Sequence, residues 1–264
     1  MESKKITKLV VYLIFAVLIL MPLFVIFMLA ISKTWSYPSL WPKWVDWGYY
    51  FRFLFKSKEV QSSLISSLEL AIGTVILTIA IAYPTAMALS YYDFKGKKLL
   101  NVLVYLPLII PSIALLTNMD FIMIKYGLNG SFFGVVSVHT LFCLPYAVKL
   151  LYDNLILWKD KYEVASRNLG ASSLQTFFKV TVPMNKNGLQ GAVMMTYIVS
   201  MTQYLSTLLI GDGNYLTLSV RMFPFTTSGK YRMAAVYGIT FMLVTLIPLY
   251  LIDIWVTHKG RKIA

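Results

Sequence analysis

Charge and cysteine are both scarce in this chain of 264 residues. Only 13% of the residues are charged, 58% are hydrophobic, and there is a single cysteine. Soluble domains carry about a quarter charged residues, so a water-soluble fold of this composition would expose large apolar patches. The one cysteine, Cys143, allows no intrachain disulfide and no cysteine metal cluster, and its apolar neighbours predict a packing role. The composition predicts a membrane protein.

Catalytic motifs are missing as well. The sequence has no HExxH motif, no GxSxG motif and no phosphate-binding GxxxxGK[ST] loop. The first two absences argue against an enzyme, and the third excludes ATP binding in that manner. His139 has no second ligand three or four residues away, which indicates a hydrogen-bonded packing residue rather than a metal ligand. We therefore expect no cofactor and no metal in this chain.

Six apolar stretches are long enough to cross a membrane. A helix needs about 20 apolar residues to cross about 30 Å of hydrocarbon. The stretches cover about 9–31, 63–91, 99–117, 132–151, 189–210 and 233–256. The first follows Lys4, Lys5 and Lys8 but is too long for the apolar region of a signal peptide, which predicts an uncleaved anchor. The predicted fold is an all-α membrane protein with six transmembrane helices.

Lysine and arginine are distributed unequally between the two sides of such a bundle. The termini, the second connector and the long connector of about 152–188 hold 15 of the 24 basic residues, counting Lys149 at its edge. The other connectors hold 9, of which 5 are in the first external loop. Cytoplasmic loops carry an excess of Lys and Arg, so both termini and the long connector are predicted to be cytoplasmic. The net charge of +13 is therefore attributed to membrane orientation rather than to nucleic-acid binding.

The first external loop is rich in tryptophan. It contains Trp35, Trp41, Trp44 and Trp47. Tryptophan is enriched at membrane surfaces, which favours an aromatic belt. A docking face for an external partner is the alternative interpretation.

Strongly polar groups are few within the predicted spans. Glu69 lies in the second span, Gln203 and Tyr204 lie in the fifth, and Asp253 lies near the cytoplasmic end of the sixth. A polar group in a span is by default a candidate that faces a partner or a wet cavity. Gln203, Tyr204 and Glu69 are thus candidate contacts for a solute in transit, with helix packing as the alternative for the first two, and Asp253 is expected to snorkel or pair. Kinks are predicted at five prolines: Pro84, Pro107, Pro111, Pro145 and Pro248.

The long connector contains a predicted helical hairpin. Residues 160–183 read DKYEVASRNLGASSLQTFFKVTVP. Good helix formers run from Asp160 to Leu169, and Gly170 then ends the helix. Two serines that follow can cap a second short helix, which Pro183 is expected to end. Physical reasoning leaves two alternatives open: an inert hairpin at the membrane surface, or a compact knob presented to a cytoplasmic protein.

The same residues resemble the EAA motif of the permease subunits of binding-protein-dependent ABC importers. That motif reads E-A-A, three residues, G, nine residues, I-x-L-P. Alignment on Gly170 places Pro183 on the proline with the full spacing kept, and Val180 and Val182 fall on the Ile and Leu. The alanines of the motif correspond to Ala165 and Ser166.

The acidic end of the motif departs from the family pattern. Val164 falls on the motif's glutamate. Glu163, one residue earlier, matches an acid found in members that read E-E-A-A-R-x-L-G. Whether Glu163 replaces the missing carboxylate is a question for the structure.

The resemblance extends beyond the motif. YLPLIIPSIAL at 105–115 is similar to the family's LPL-x-x-P segment, and LPYAVKLL at 144–151 is similar to its LPY segment. SMTQYLSTLLIGDGNYLTLSV at 200–220 is similar to the fifth span of permeases in the thiamine, polyamine and ferric-iron branch. The resemblance covers about residues 60–256. It implies a MetI-like permease core at 60–256, after an anchor with an external loop at 1–59 and before a tail at 257–264.

The resemblance also implies partners. A second permease subunit, identical or related, would complete one pathway, two cytoplasmic ATPase subunits would bind ATP and Mg²⁺, and an external binding protein would deliver the solute at a bacterial inner membrane. The solute would be thiamine, a polyamine, iron or another small solute. The implied contacts to the ATPases are the following residues: Tyr162, Glu163, Ala165, Ser166, Arg167, Asn168, Gly170, Ala171 and Pro183.

Two rival functions predict other features. A secondary transporter or channel driven by an ion gradient would need several ionisable groups near the midplane and an internal inverted repeat, whereas this chain has one clear midplane acid and no evident repeat. A membrane-embedded enzyme would need a paired base or a metal site. An ATP-driven importer subunit is the favoured interpretation.

Overall fold

The computed structural model describes residues 2–35 and 39–261. Its first part contains α1 (Glu2–Ile31), β1 (Ser32–Thr34), β2 (Trp44–Val45), α2 (Tyr49–Lys56), α3 (Lys58–Tyr91), α4 (Lys97–Ile109), α5 (Ser112–Lys125) and α6 (Phe132–Trp158). Its second part contains α7 (Lys161–Asn168), α8 (Ser173–Thr176), a π-helical turn (Phe177–Thr181), α9 (Val182–Met184), α10 (Lys186–Met201), α11 (Tyr204–Ile210), α12 (Leu218–Thr227) and α13 (Tyr231–Arg261). The predicted all-α class is confirmed, apart from one short pair of strands.

Four helices of the described residues are long and apolar enough to cross a membrane singly. They are α3, α6, the part of α1 from Lys8, and the part of α13 up to Ile254. Two further pairs, α4 with α5 and α10 with α11, qualify only as bent spans. Counting each pair once gives six, which agrees with the predicted number.

The third predicted span is not a continuous helix. α4 and α5 meet at an angle of 106° where Ile110 and Pro111 separate them. Ile110 is extended, with ψ of 135°, in line with the preference of a residue before proline for the extended region. The predicted kink at Pro111 is thus a break. The fifth predicted span is also broken, since α10 and α11 are bent by 62° around Thr202 and Gln203.

The chain forms two compact units. One joins the segment up to Leu64 with Leu218–Leu243, and the other joins Ile65–Thr217 with the segment from Val244. These limits do not coincide with the predicted division at residues 59/60 and 256/257, which stays a prediction about family organisation.

The larger unit is built around α6. Its buried residues Ala147, Val148 and Leu151 pack with Ala82 and Ala86 of α3 and with neighbouring residues of α4 and α10. A second cluster around Val135 and Val138 of α6 includes residues of α3, α5 and α11. The long predicted fourth span is therefore the centre of this unit.

α6 and α10 share the most extensive helix contact of this unit. The α10 face toward it carries a small residue every four positions, and all are buried: Gly188, Ala192, Thr196 and Ser200. Gly188 is required, because a Cβ there would lie 2.9 Å from the Leu150 carbonyl oxygen. Small residues let membrane helices approach closely, which dispersion contacts then stabilise. We refer to this contact as the α6–α10 seam.

The smaller unit packs α1, α2, and the first parts of α3 and α13 together. Ala30, Tyr50 and Val236 are among the buried residues of one cluster. Val60, Leu218 and Tyr237 form another. β1 and β2 pair antiparallel just after α1, and the Asp46 N–H donates to the Ile31 carbonyl at 2.7 Å.

Candidate functional site

The predicted helical hairpin is present between α6 and α10. We call residues 160–184 the connector hairpin. Lys159 turns the chain out of α6 with a φ of +50°, α7 follows, and Gly170 reverses direction with a φ of +87°. Open space surrounds Gly170 within 4 Å of a Cβ placed there, so only the backbone conformation demands glycine.

A capping box begins the second arm of the hairpin. The Gln175 N–H donates to Ser172 Oγ at 3.3 Å, and the Ser172 N–H donates to Gln175 Oε1 at 3.0 Å. Two backbone donors that the helix leaves unpaired are thereby satisfied. The prediction that serine caps this helix is confirmed.

The second arm does not end at Pro183 as expected. α8 leads into the π-helical turn and α9, and Pro183 lies inside α9. Proline is tolerated in the first turn of a helix because the missing N–H has no partner there. The π-helical turn ends just before it, so Pro183 starts a new turn and the helical path reaches Met184.

Glu163 lies inside the hairpin. Its side chain is 7% exposed, and Thr181 Oγ1 donates to Glu163 Oε1 at 2.6 Å. Val164, which occupies the position of the motif's glutamate, is 48% exposed. The two side chains thus lie in different surroundings, and the Glu163 carboxylate is not placed where Val164 meets solvent.

A second side-chain contact joins the two arms. Ser166 Oγ and Thr176 Oγ1 lie 3.1 Å apart, with Thr176 buried. The turn between them is closed by backbone bonds from the Gly170 N–H to the Arg167 carbonyl and from the Ala171 N–H to the Ser166 carbonyl. α7 has only eight residues, too few for a stable isolated helix, and these cross-links hold it against the second arm.

The outer surface of the hairpin is apolar and basic. Leu169 is 89% exposed, Leu174 71% and Phe178 64%. The exposed charges are mainly positive and come from Lys159, Lys161, Arg167 and Lys179, against Asp160. Also exposed are Tyr162, Ala165, Asn168 and Pro183. Exposed apolar residues of this size, rimmed by charge, mark an interaction surface.

Phe177 connects the hairpin to the helix bundle. Its ring meets the ring of Tyr83 in α3 edge to face, with centroids 5.2 Å apart, and packs against the buried cluster around α6. The next residue, Phe178, is exposed. Trp158 and Tyr162 stack edge to face at 5.6 Å where α6 passes into α7.

The break between α10 and α11 is held by a histidine. His139 Nδ1 lies 3.0 Å from Ser200 Oγ and Nε2 lies 3.0 Å from Thr207 Oγ1, on either side of the break. The Thr207 hydroxyl donates its proton to the Gln203 carbonyl at 2.5 Å. Nε2 must therefore donate to Thr207, and Nδ1 accepts from Ser200. The predicted packing role of His139 is confirmed.

Two of the candidate pathway residues lie at this break. Gln203 caps α11, is partly exposed and accepts a hydrogen bond from Ser206 Oγ at 3.1 Å. Tyr204 is partly exposed and begins α11. Glu69 is exposed on α3, on a stripe shared with Ile65, Ile72 and Ile76.

The remaining polar residues of the spans behave as expected. Gln190 Nε2 donates to Asp253 Oδ1 at 3.0 Å, so Asp253 has the expected pairing. Cys143 is buried, with its sulfur 3.6 Å from the Thr196 carbonyl.

In the connector between α3 and α4, the hydrogen bond and the charge of Lys97 hold the pKa of Asp93 below its usual value. Residues 2–35 and 39–261 contain no group of three or more His, Cys, Asp or Glu side chains placed to hold a metal.

Several structural residues were not identified from the sequence. Thr181 and Thr176 tie the hairpin together, and Phe177 joins it to α3. Nothing in the spacing of Glu163 and Thr181 points to their contact, because a π-helical turn lies on the path between them. The seam on α10 did carry a readable signal, a small residue at every fourth position.

The chain matches one family model over most of its length and is similar to several transport permeases. Residues 75–264 match the family model described as the binding-protein-dependent transport system inner membrane component. The chain is 22% identical over 219 residues to the spermidine/putrescine permease PotC of Haemophilus influenzae, covering 83% of this chain and 84% of that one. It is 26% identical over 209 residues to the molybdate/tungstate permease WtpB of Pyrococcus furiosus, covering 77% and 80%.

A solved structure shares the fold. The structure of a bacterial ABC transporter involved in alginate import matches with a TM-score of 0.74 and 21% identity, over 97% of this chain and 96% of that one.

Proposed function

The chain belongs to the family of binding-protein-dependent transport system inner membrane components, and from this premise we propose that its connector hairpin transmits the work of separate ATPase subunits to a solute pathway. Membership makes it the permease subunit of an ABC importer and a non-catalytic membrane protein. The proposal concerns what this subunit's residues do, which partners they meet and which solute passes.

The observation that carries the proposal is the combination of a rigid interior with an exposed apolar end. Glu163 and Ser166 tie α7 to the second arm, while Leu169 and Leu174 around the Gly170 turn face solvent. An inert hairpin at the membrane surface would use the apolar end but needs no cross-linked interior. A knob that must transmit displacement needs both, because a partner can shift a conformational equilibrium only through contacts that differ between the two states.

The proposed partner is a pair of cytoplasmic ATPase subunits that bind ATP and Mg²⁺. The exposed basic residues around the apolar tip favour a cleft with acidic walls and an apolar floor. Tyr162, Arg167 and Asn168 are the proposed polar contacts. Glu163 and Ser166, by contrast, act from inside as positioning residues.

Displacement of the hairpin would reach the spans by two routes. Phe177 is packed on Tyr83, so a displacement of the second arm acts on α3. Only two residues, Lys159 and Asp160, separate α6 from α7, so a displacement of the first arm acts on α6. Both routes lead into the same packed unit, where the α6–α10 seam keeps helices together as a rigid group.

The proposed pathway includes the break after α10. Irregular backbone at membrane depth is tolerated where it is buried in protein or lines a water-filled cavity. Gln203 and Tyr204 are partly exposed there and would offer hydrogen bonds to a solute. Glu69 lies exposed in an apolar stripe, which is unfavourable against lipid and thus favours a wet or subunit-facing position.

We propose a second permease subunit, identical or related, on the other side of this pathway, and an external binding protein that delivers the solute in a bacterial inner membrane. The relatives carry solutes as different as a polyamine and an oxyanion. A polyamine is the first solute to test, because Glu69 offers a carboxylate; thiamine and iron follow.

Site-directed crosslinking tests the hairpin contact. In a chain whose buried Cys143 is replaced by alanine, Leu169→Cys labelled with a thiol-reactive photocrosslinker should crosslink to the co-purifying ATPase on illumination. Leu40→Cys is the matched control, since Leu40 is 85% exposed but lies in the loop predicted to be external. Crosslinking of Leu169→Cys to lipid or to its own chain alone would contradict the proposal.

A further inference from the structure

A cleft lies where α1 ends and α13 begins. It has a volume of about 330 Å³, and its lining includes Leu29, Ser32, Lys33, Trp35, Lys230 and Arg232. The candidate spans end at Ile31 and begin at Tyr231, so both finish at the level of this cleft. If these helices cross the bilayer, the cleft is at the depth of the phospholipid headgroups.

The cleft is strongly basic. Three cationic side chains line it, those of Lys33, Lys230 and Arg232, and the lining includes no acid. The segments 32–57 and 218–243 contain one acidic residue, Asp46. Asp46 pairs with Arg52 and is thereby already engaged. No acidic side chain of the lining compensates the positive charge of the cleft.

Arg232 is fixed in position but not satisfied. Its guanidinium carbon lies 3.3 Å from the centroid of the Tyr49 ring, and the Tyr49 hydroxyl donates to Met233 Sδ at 3.2 Å. Nε and Nη2 of Arg232 are buried, with no hydrogen-bond partner among the described residues. Buried donors of this kind are almost always paired, and a pair of guanidinium donors fits an oxyanion.

We propose that this cleft binds the phosphate group of an anionic phospholipid. Arg232 would donate to the phosphate oxygens, Lys33 and Lys230 would neutralise the charge, and Leu29 with Trp35 would contact the glycerol and upper acyl region. A free phosphate has the same oxyanion chemistry, but the depth of the cleft and its apolar wall favour a lipid. The assignment also accounts for cations on a side where the distribution of Lys and Arg predicts few of them.

The proposal is tested by measuring lipid binding. The chain of 264 residues is purified in detergent together with its partners. Phosphatidylglycerol, phosphatidylcholine with the same acyl chains, and inorganic phosphate are added in separate titrations. Native mass spectrometry then measures the fraction of protein that carries each ligand. The double variant Lys33→Gln/Lys230→Gln removes two exposed cations from the cleft. Lys43→Gln/Lys56→Gln is the matched control, with two exposed cations of the same unit that lie outside it.

We expect phosphatidylglycerol to bind the unsubstituted chain in preference to phosphatidylcholine. The cleft variant should lose about tenfold or more of the apparent affinity for phosphatidylglycerol, whereas the control should retain nearly all of it. Arg232→Gln should abolish the preference for phosphatidylglycerol over phosphatidylcholine. Circular dichroism should show an unchanged helix content in this variant. Equal loss in the cleft and control variants would overturn the proposal, because the effect would be one of net charge. Binding of inorganic phosphate alone, with no preference between the two lipids, would overturn the lipid assignment.

Discussion

Helices α1 and α6 are both apolar enough to span a membrane, yet they occupy opposite environments. Only 11% of the most apolar window of α1 is buried within the chain, against 61% in α6. α1 is the more apolar of the two, whereas α6 contains His139, Thr140, Cys143 and Pro145. In a membrane the surroundings are already apolar, so helices associate through close packing and hydrogen bonds rather than by hiding hydrocarbon. The less apolar helix, α6, is therefore the one at the centre of its unit.

The comparison predicts different sensitivities to the same substitution. Leu151 in α6 is fully buried, and Leu18 in α1 is 64% exposed. Leu151→Ala should lower the free energy of unfolding by about 2 kcal/mol or more, because it leaves a cavity in a packed core. Leu18→Ala should change it by less than about 0.5 kcal/mol, since lipid can fill the space. Unfolding in mixed micelles, followed by circular dichroism, measures both; equal losses would mean that α1 is also packed against protein.

Glycine substitutions sharpen the comparison within α10. A Cβ at Gly188 would meet Asn185 Oδ1 and lie 2.9 Å from the Leu150 carbonyl, whereas a Cβ at Gly191 meets only methyl groups at 3.7 Å. Gly188→Ala should cost about 1–3 kcal/mol through overpacking of the α6–α10 seam. Gly191→Ala should be neutral or slightly stabilising, because it restricts the unfolded chain without a clash. A tolerated Gly188→Ala would show that the seam can widen without loss.

Gly170 is exposed, yet we expect substitutions at this position to be poorly tolerated. It lies in open space, but its φ of +87° penalises any side chain by about 1–2 kcal/mol. We expect Gly170→Val to leave membrane insertion intact and to lower solute-stimulated ATP hydrolysis by about tenfold, because the strain in the turn exceeds 1 kcal/mol. Gly96→Val is the control, since Gly96 has a φ of +97° in the open connector before α4. Reconstituted vesicles give the readout, and unchanged stimulation in Gly170→Val would remove the coupling role of the turn.

The smallest effect concerns the buried pair of the hairpin. Glu163→Ala and Thr181→Val each remove one side of the bond between Thr181 Oγ1 and Glu163 Oε1. The coupling energy in a double-mutant cycle should be about 1 kcal/mol, the usual net contribution of an intramolecular hydrogen bond. Protection of the hairpin amides from hydrogen exchange should fall in the single variants. If the two single effects simply add, the pair does not hold the arms together.

The number and order of the spans followed from the sequence because membrane thickness sets a length that composition must meet. The hairpin followed too, since Gly170 and the capping residues Ser172 and Gln175 act locally. Local signals of this kind depend on a few neighbouring residues, which a sequence displays directly.

The features that were missed depend on contacts between distant segments. The break at Ile110–Pro111 gave a proline signal, but its 106° angle depends on where α5 packs. The burial of Glu163 required Thr181 to arrive from the other arm after a π-helical turn. The proposed pathway residues are in the same position, because the proposed second subunit would decide which exposed polar groups meet water. Sequence patterns describe one segment at a time and do not contain such information.

The π-helical turn has a consequence for insertions and deletions. Each residue of an α-helix advances the direction of the side chains by about 100°. A π-helical turn holds one residue more than a regular turn, so its five residues rotate the chain about as far as four residues of an α-helix do. Only four residues separate this turn from α10. Removing Lys179 and restoring a regular helix would therefore leave the row from Gly188 to Ser200 directed toward α6. A single-residue deletion within the regular part of α10 would instead rotate the residues beyond it by about 100° and move the rest of that row off the α6–α10 seam.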